Sequence, residues 1–310
     1  MEKMMKKLTK KSNNARHINS VSRKIVFGIA FVLIALYVVI ILYFFLYAIL
    51  IALKWDQNVF LTDQGLGVGE SARLFSIPCP PNFGNFITTF SEWSIIDGQN
   101  TFLDMVWNSI WRTTSSAFLT WFTTAIVCYV LVHYRSKFTS IVYYIGLFIA
   151  MLPIYGAQGA QYKLYSDLHL INSPAITIVS ITLYGSYFFY MYAFWKGISH
   201  SYAEAASIDG ANHYQILFRV MLPQVLPSII ALFIMQFIAA WNDYESTAAY
   251  MTEYPNLAYG IYAYSEVSSY AGNIPAYFAG VILSLLPILA LFIAFQNTIM
   301  EKVYFGGLKE

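Results

Sequence analysis

Long apolar runs separated by shorter polar segments dominate this chain. A helix needs about twenty apolar residues to cross the hydrocarbon layer of a bilayer, so each run can be compared with that length. The candidate runs are Ile25–Leu53, Met105–Leu131, Ser140–Ala160, Ala175–Trp195, Val225–Trp241 and Ala276–Phe295. Apolar and polar residues do not alternate along them, which argues against membrane strands. The pattern predicts an all-α membrane protein with six transmembrane helices.

The composition agrees with a lipid environment. Of the 310 residues, 58% are apolar and only 11% are charged, whereas soluble domains carry about 25% charged residues. Most of the surface is therefore expected to face lipid rather than water. The net charge of +2 gives no reason to expect a nucleic-acid partner.

The distribution of Lys and Arg predicts the orientation. Eight basic residues precede the first apolar run, and cytoplasmic segments of membrane proteins are rich in such residues. With this end inside, the outer segments hold three basic residues against eleven acidic ones. We expect a multi-pass protein of the cell membrane with both termini in the cytoplasm.

The same pattern divides the chain into regions. They are a basic cytoplasmic tail at 1–24, a first transmembrane anchor at 25–53, an extracellular loop at 54–104, a transmembrane core at 105–298 and a cytoplasmic tail at 299–310. A polar loop at about 199–223 interrupts the core between the fourth and fifth apolar runs.

This polar loop contains the stretch EAASIDGANHYQILFRVMLPQVLP, which runs from Glu204 to Pro227. Ser201 and Glu204 have the spacing of a capping box at the start of a helix. Gly210 suits the left-handed position that ends a helix. A second helix is expected to begin near Asn212. The loop therefore predicts a helix–turn–helix elbow on the cytoplasmic side.

The length and composition of the elbow favour a docking role. It is longer than a simple connection requires. Its small residues would let another surface approach closely; they are Ala205, Ala206, Gly210 and Ala211. The alternative is a solvated connector, in which Glu204 serves only as the acid of the capping box.

Four other residues are candidates for a transport path or an outer gate. Arg112 lies inside a predicted span, where a charge either extends to the interface or lines the path. Trp241, Asn242 and Asp243 close the fifth run at its outer end. They can form part of a gate or an interfacial aromatic belt.

The sequence offers no motif for chemistry of its own. It contains no Walker A pattern for ATP, and its five histidines show no metal-binding spacing. We predict no catalytic residues, no metal and no bound cofactor. The absence of an acid in the middle of any run, and of an evident internal repeat, argues against an ion-coupled secondary transporter.

The polar stretch also resembles a known motif. EAASIDGA followed by LPQVLP is similar to the EAA signature of permease subunits in binding-protein-dependent ABC importers. Further segments resemble the second permease of the maltose-type, sugar-importing branch: Trp107-Asn108-Ser109, Met151-Leu152-Pro153, Trp241-Asn242-Asp243 and the ending Gly306-Gly307-Leu308-Lys309. The resemblance covers about two-thirds of the chain, and the EAA block is its specific part.

The resemblance implies a type I ABC importer permease fold in which the elbow is the coupling helix. The residues implied to contact a cytoplasmic ATPase are Glu204, Ala205, Ala206, Asp209, Gly210 and Ala211. The implied partners are a sister permease in a heterodimer, two ATPase subunits that hydrolyse ATP with Mg, an extracellular solute-binding protein and membrane lipid. The expected function is import of a sugar or oligosaccharide, with this chain forming half of the pathway. An ABC permease for a non-sugar solute, or an ion-coupled secondary transporter, is the alternative.

Overall fold

The structure is a computed structural model that describes residues 2–55, 77–78, 80–95, 100–134, 136–152, 156–181, 184–268 and 273–303. The chain divides into two compact units, 1–83 and 84–310. Most of the predicted outer loop before the second unit (56–76) and the last seven residues of the predicted C-terminal tail (304–310) lie outside the described residues.

The first unit contains one long helix, α1 (Glu2–Ala52). Its segment Lys24–Ala52 is long and apolar enough to cross a membrane, and it coincides with the predicted anchor at 25–53. Large apolar side chains are exposed along this segment, as a lipid-facing helix requires; Phe31 is 73% exposed. The helix also continues back through the predicted basic tail. The length of the apolar run could not reveal this, since Lys and Arg are good helix formers without being apolar.

The described part of the second unit is helical apart from one short hairpin. Its helices are α2 (Gly84–Glu92), α3 (Phe102–His133), α4 (Lys137–Met151), α5 (Gln158–Asp167), α6 (Ile176–Val179), α7 (Ser186–Lys196), α8 (Ser201–Ile208), α9 (His213–Gln215), α10 (Leu222–Trp241), α11 (Glu245–Tyr250), α12 (Leu257–Ser268) and α13 (Ile274–Val303). The hairpin pairs β1 (Ser94–Ile95) with β2 (Asn100–Thr101) in antiparallel register. A π-helical segment, Ile216–Met221, joins α9 to α10.

Four helices in the described part of the chain are long and apolar enough to cross a membrane: Lys24–Ala52, Phe102–His133, His213–Trp241 and Ile274–Gln296. They correspond to four of the six predicted runs. The run predicted at 140–160 forms a shorter helix, α4, which ends at Met151 before Pro153, since a residue that precedes proline disfavours helical angles. The run predicted at 175–195 contains two helices, α6 and α7, and Gly185 is extended before the second. Six continuous spanning helices are therefore not confirmed.

Two apolar clusters lie at opposite ends of α3. The elbow-end cluster joins α3, α7 and the π-helical segment with α10; its buried side chains include Cys128, Tyr129, Trp195, Met221 and Ile229. The second cluster surrounds the start of α3 and the end of α10; its buried side chains include Trp93, Phe102, Met105, Phe237 and Trp241. Helices α3 and α10 pack along each other and so connect the two clusters.

Part of the predicted outer loop at 54–104 is ordered against the second unit's helices. Helix α2 packs on α13, and Thr89 Oγ1 donates a hydrogen bond to the Ala276 carbonyl at 3.1 Å. The Trp93 ring stacks on Tyr264 at a centroid distance of 4.4 Å. The sequence predicted an extracellular loop that forms a small ordered cap, but it did not predict this helix, because α2 is too short and too polar to be recognised as a span.

Candidate functional site

The elbow consists of α8, the turn at Gly210 and α9. Gly210 has a φ of 81°, a left-handed conformation that glycine adopts without strain. Its amide donates to the Ser207 carbonyl at 3.1 Å, and the Ala211 amide donates to the Ala206 carbonyl at 3.0 Å. These two hydrogen bonds form a Schellman motif, which satisfies carbonyls at the end of α8. The predicted turn at Gly210 is confirmed.

The two helices of the elbow begin in different ways. Helix α9 starts with a capping box, in which Asn212 Oδ1 accepts the Gln215 amide and Gln215 Oε1 accepts the Asn212 amide, both at 2.9 Å. The capping box predicted at Ser201 and Glu204 is wrong. His200 precedes α8 and already has helical angles, and no side chain caps this helix. Ser201 is therefore inside the first turn, where its hydroxyl is no longer in the N-cap position.

One face of the elbow packs on the bundle and the other is exposed. The residues that are partly buried against the elbow-end cluster are Ala203, Ala206 and Ala211. The exposed residues are Glu204, Ala205, Asp209 and Gly210. Of the six predicted docking residues, four are therefore accessible to another protein. Ala206 and Ala211 instead fasten the elbow to the bundle.

The exposed face also carries large apolar side chains that the sequence analysis did not select. Ile208 is 86% exposed and Tyr214 is 77% exposed. Both lie on the elbow's short helices rather than on a long apolar helix that could face lipid. Exposed apolar surface next to polar groups is typical of a protein interaction site.

The other end of the bundle contains a cavity of about 380 Å³ between α3, α5, α6, α10 and α11. Most of the residues around it carry polar side chains. These are Arg112, Thr113, Ser116, Gln161, Tyr165, Thr177, Ser180, Gln236, Asp243, Ser246, Tyr250 and Asn256. A concave site of this size with convergent polar groups suits a small solute.

Two of the four predicted path residues, Arg112 and Asp243, line this cavity together. Arg112 Nη1 donates to Thr247 Oγ1 at 2.6 Å, so the side chain is held inside the protein and does not extend to the interface. Asp243 Oδ1 accepts the Ser246 amide at 3.0 Å. The Asp243 backbone carbonyl accepts from Asn256 Nδ2 at 2.8 Å. Hydrogen bonds from the segment after α10 thus hold both charges in position.

The other two predicted path residues do not line the cavity. Trp241 is 3% exposed and its ring stacks on Phe237 at 5.9 Å in the second apolar cluster. The Asn242 side chain is exposed, and its amide nitrogen donates back to the Ile238 carbonyl at 2.9 Å. Adjacent positions at a helix end point in different directions, which explains why one residue of the three reaches the cavity.

A hydrogen-bonded group of neutral residues completes one wall of the cavity. Gln161 Nε2 donates to the Tyr165 hydroxyl at 2.8 Å, and the Tyr250 hydroxyl donates to Gln161 Oε1 at 3.3 Å. Burial, with smaller contributions from Tyr165 and Asp243, raises the pKa of Tyr250. Its hydroxyl therefore remains protonated and able to donate.

The sequence analysis missed these neutral residues, although partial signals existed. Gln161 and Tyr165 are four positions apart, which places them on one face of a helix. Gln236 is a polar residue inside the apolar second half of α10. Nothing local indicates that α11, far along the chain, closes the same cavity.

The elbow lies at the end of α3, whereas the cavity lies along the first half of this helix. Tyr134, just beyond α3, lies with its hydroxyl 3.0 Å from His213 Nδ1 at the start of α9. The His133 and His200 rings are 4.8 Å apart between centroids. From His133 back to Arg112 is twenty-one residues along α3, or about 32 Å at roughly 1.5 Å per residue. This is close to the thickness of a bilayer's hydrocarbon core.

No cluster of three or more His, Cys, Asp or Glu side chains that could hold a metal ion occurs within the described residues. The cavity offers hydrogen-bonding groups and two charges of opposite sign. It can bind and orient a polar solute, and no nucleophile–base arrangement lines it.

Comparisons with known proteins agree with a transport role. Residues 132–301 match the family described as "Binding-protein-dependent transport system inner membrane component". The chain is 27% identical over 236 residues to the diacetylchitobiose uptake system permease protein NgcG of Streptomyces coelicolor, covering 75% of this chain and 76% of that protein. It is 26% identical over 234 residues to the arabinooligosaccharides transport system permease protein AraQ of Halalkalibacterium halodurans, covering 75% and 81%.

The fold also has a counterpart among solved structures. A chain of a bacterial ABC transporter involved in the import of the acidic polysaccharide alginate superposes with a TM-score of 0.68 at 19% identity, covering 88% of this chain and 96% of that chain. At this identity the likeness concerns the fold alone. The family match extends over more than half of the chain and contains the elbow, α10 and most of α13. The chain therefore belongs to the family of inner-membrane components of binding-protein-dependent transport systems.

Proposed function

We propose that this chain is a permease subunit of an ATP-driven importer that takes a sugar or oligosaccharide from an extracellular binding protein. Its relatives include permeases named for diacetylchitobiose, arabinooligosaccharides and melibiose, raffinose and stachyose. The polar cavity is this chain's part of the translocation pathway, and a sister permease in a heterodimer contributes the other part. The protein resides in the cell membrane.

The bundle is proposed to cross the membrane five times and α1 once, with both termini in the cytoplasm. Residues of α5 and α6 lie at the cavity. Trp195, near the end of α7, lies in the elbow-end cluster. We infer that the chain passes from the elbow end to the cavity end through α4 and returns through α6 and α7. Neither passage consists of one long helix. Six crossings in total would place both termini on the same side of the membrane. The excess of basic residues on the elbow side supports the cytoplasm as that side.

The elbow is proposed to act as the coupling helix. The observation that carries this proposal is the continuity of the helix from His213 to Trp241. The first residues of that helix form part of the exposed elbow, and Gln236 near its other end lines the cavity. A partner that moves the elbow would therefore move a wall of the cavity, because one continuous helix joins the two.

ATP hydrolysis is proposed to take place on the partners. Two cytoplasmic ATPase subunits hydrolyse ATP with Mg, and one of them holds the elbow through the exposed residues Glu204, Ala205, Asp209 and Gly210. When the ATPases close, the elbows of both permeases are displaced. The cavity then opens to the outside and receives solute from the binding protein.

Two substitutions test the coupling role. Glu204→Arg reverses a charge on the exposed face, and Gly210→Val places a β-branched residue at a φ of 81°, which L-residues with branched side chains rarely adopt. Both variants are expected to abolish sugar uptake while the protein remains in the membrane. Uptake of labelled sugar in cells and the amount of membrane-inserted chain would be measured together.

Matched controls separate coupling from general damage. Glu253 is exposed near the cavity end, so Glu253→Arg makes the same charge change away from the elbow. Gly28 lies in α1, and a Cβ atom added to it would have no heavy atom within 4 Å. Gly28→Val therefore introduces the same branched side chain at a position without a positive φ. Normal ATPase-dependent uptake in both elbow variants would reject the coupling role. Uptake that survives loss of the ATPases but stops when the ion gradient collapses would indicate a secondary transporter instead.

A further inference from the structure

The charged lining of the cavity consists of one cation and one anion. Of its described lining residues, only Arg112 and Asp243 carry a formal charge at neutral pH. The two charges are of opposite sign and lie on the wall of the same cavity. This chain's lining of the cavity therefore carries no net charge, although it presents strong donors and acceptors.

Hydrogen bonds with neighbouring residues of this chain hold the Arg112 and Asp243 side chains in position. Thr247 accepts one of the five N–H donors of the Arg112 guanidinium at 2.6 Å. Arg112 Nε is buried without a hydrogen-bond partner in the described structure, which makes the nearby carboxylate important for the stability of the buried cation. Removing the Asp243 carboxylate would leave Arg112 as the one charged side chain of the described lining.

The remaining polar lining is neutral and rich in groups that pair with hydroxyls. The Gln161 amide is fixed between the Tyr165 and Tyr250 hydroxyls. The Tyr165 and Tyr250 rings meet edge to face at 5.2 Å. Amide and hydroxyl groups each donate and accept hydrogen bonds, while the guanidinium of Arg112 donates and the carboxylate of Asp243 accepts. This matches the chemistry of adjacent sugar hydroxyls.

We propose that the cavity selects an uncharged saccharide, either a short one or the end unit of a longer one, and rejects saccharides that carry a carboxylate. The inference rests on the proposed sugar-import function. A uronate carboxylate in this cavity would meet the like charge of Asp243, and Arg112, the one cation of the described lining, already balances that charge. No second cation in the described lining would compensate for it. Sugar hydroxyl groups are uncharged and can bind without changing the balance between the Arg112 and Asp243 charges.

Protection of a reporter thiol tests this selectivity in the assembled importer without its binding protein. The reporter is Ala239→Cys, because Ala239 is an exposed residue of the cavity lining. Cys79→Ser removes the outer-loop thiol, and Cys128 is 0% exposed. Ser207→Cys, on the elbow, is the control position. The neutral probes are N,N′-diacetylchitobiose, arabinobiose and melibiose, and the acidic probe is digalacturonate.

At least one neutral probe is expected to slow maleimide labelling of Ala239→Cys about tenfold at about ten times its dissociation constant, because only the unliganded fraction reacts. Digalacturonate is expected to leave the labelling rate unchanged, and no probe should protect Ser207→Cys. In Asp243→Asn the lining becomes net positive, and digalacturonate should now protect. Arg112→Gln provides a second variant, in which digalacturonate should remain excluded because the Asp243 carboxylate is uncompensated.

Protection of the unaltered lining by digalacturonate, or the absence of protection by every probe, would overturn the proposal. Size-exclusion profiles of the variants check that they assemble. ATPase-dependent uptake of a neutral sugar without cavity protection would refute this inference alone and leave the proposed function standing. Sugar uptake that does not depend on the ATPases would instead refute the proposed function.

Discussion

The exposed side chain of Ile208 allows a quantitative test of the elbow as a docking surface. It is 86% exposed at the end of α8, so truncating it removes almost no contact within this chain. Ile208→Ala should therefore leave the thermal stability of the chain in detergent unchanged. Any effect on an ATPase partner would then come from the interface itself.

The magnitude follows from the apolar surface that docking would cover. Complete burial of an Ile side chain that was exposed contributes about 1.5–3 kcal/mol. Since nearly the whole Ile208 side chain is available, its loss should weaken binding by about 2 kcal/mol. At about 1.4 kcal/mol per tenfold change, this corresponds to a dissociation constant about 30-fold higher.

The assay is titration of the purified ATPase subunits onto the permease pair in lipid nanodiscs, with the bound fraction as the signal. Ile87→Ala is the matched control, because Ile87 is 71% exposed on α2, away from the elbow. We expect Ile87→Ala to bind like the unaltered protein. Unchanged ATPase affinity in Ile208→Ala, with a normal amount of folded chain, would refute the assignment of this surface.

Two further predictions concern packing and buried hydrogen bonds. Gly280→Ala would place a methyl group against the Trp93 ring, and such overpacking should lower stability by about 1–3 kcal/mol. Gly28→Ala, with open space around it, should not lower the melting temperature, and equal melting of both variants would contradict this reasoning. Ser109→Ala removes the hydroxyl that accepts the buried Leu257 amide at 2.7 Å. The unpaired amide should cost about 1–3 kcal/mol, measured by thermal melting, and an unchanged melt would show that water replaces the hydroxyl.

The elbow was predicted well because its signals are local. Gly210 ends α8 in a left-handed conformation, and glycine is the residue with least penalty there. The start of α8 was predicted wrongly at Ser201, because His200 already adopts helical angles. The sequence also did not reveal which residues face the bundle. That depends on how α8 packs against the elbow-end cluster, which comes from α3, α7 and α10.

The cavity could be predicted only in part. Arg112 was predicted as a path residue because a charge inside an apolar run is rare, and Asp243 was predicted because it lies at the outer end of the fifth run. Their association with Gln161, Tyr165 and Tyr250 could not be inferred, because these residues come from separate helices. Trp241 illustrates the opposite error, since it lies only two positions before Asp243 in the sequence but does not line the cavity.

The amino-acid sequence by itself determined the membrane environment, the helical class, the elbow's turn and the family resemblance, because each depends on residues that are near one another along the chain. The tertiary structure alone decided which polar side chains meet. Arg112 reaches Thr247 across 135 positions, and Tyr250 reaches Gln161 across 89. Such contacts depend on the packing of whole helices against one another, and the local pattern of apolar residues does not specify that packing.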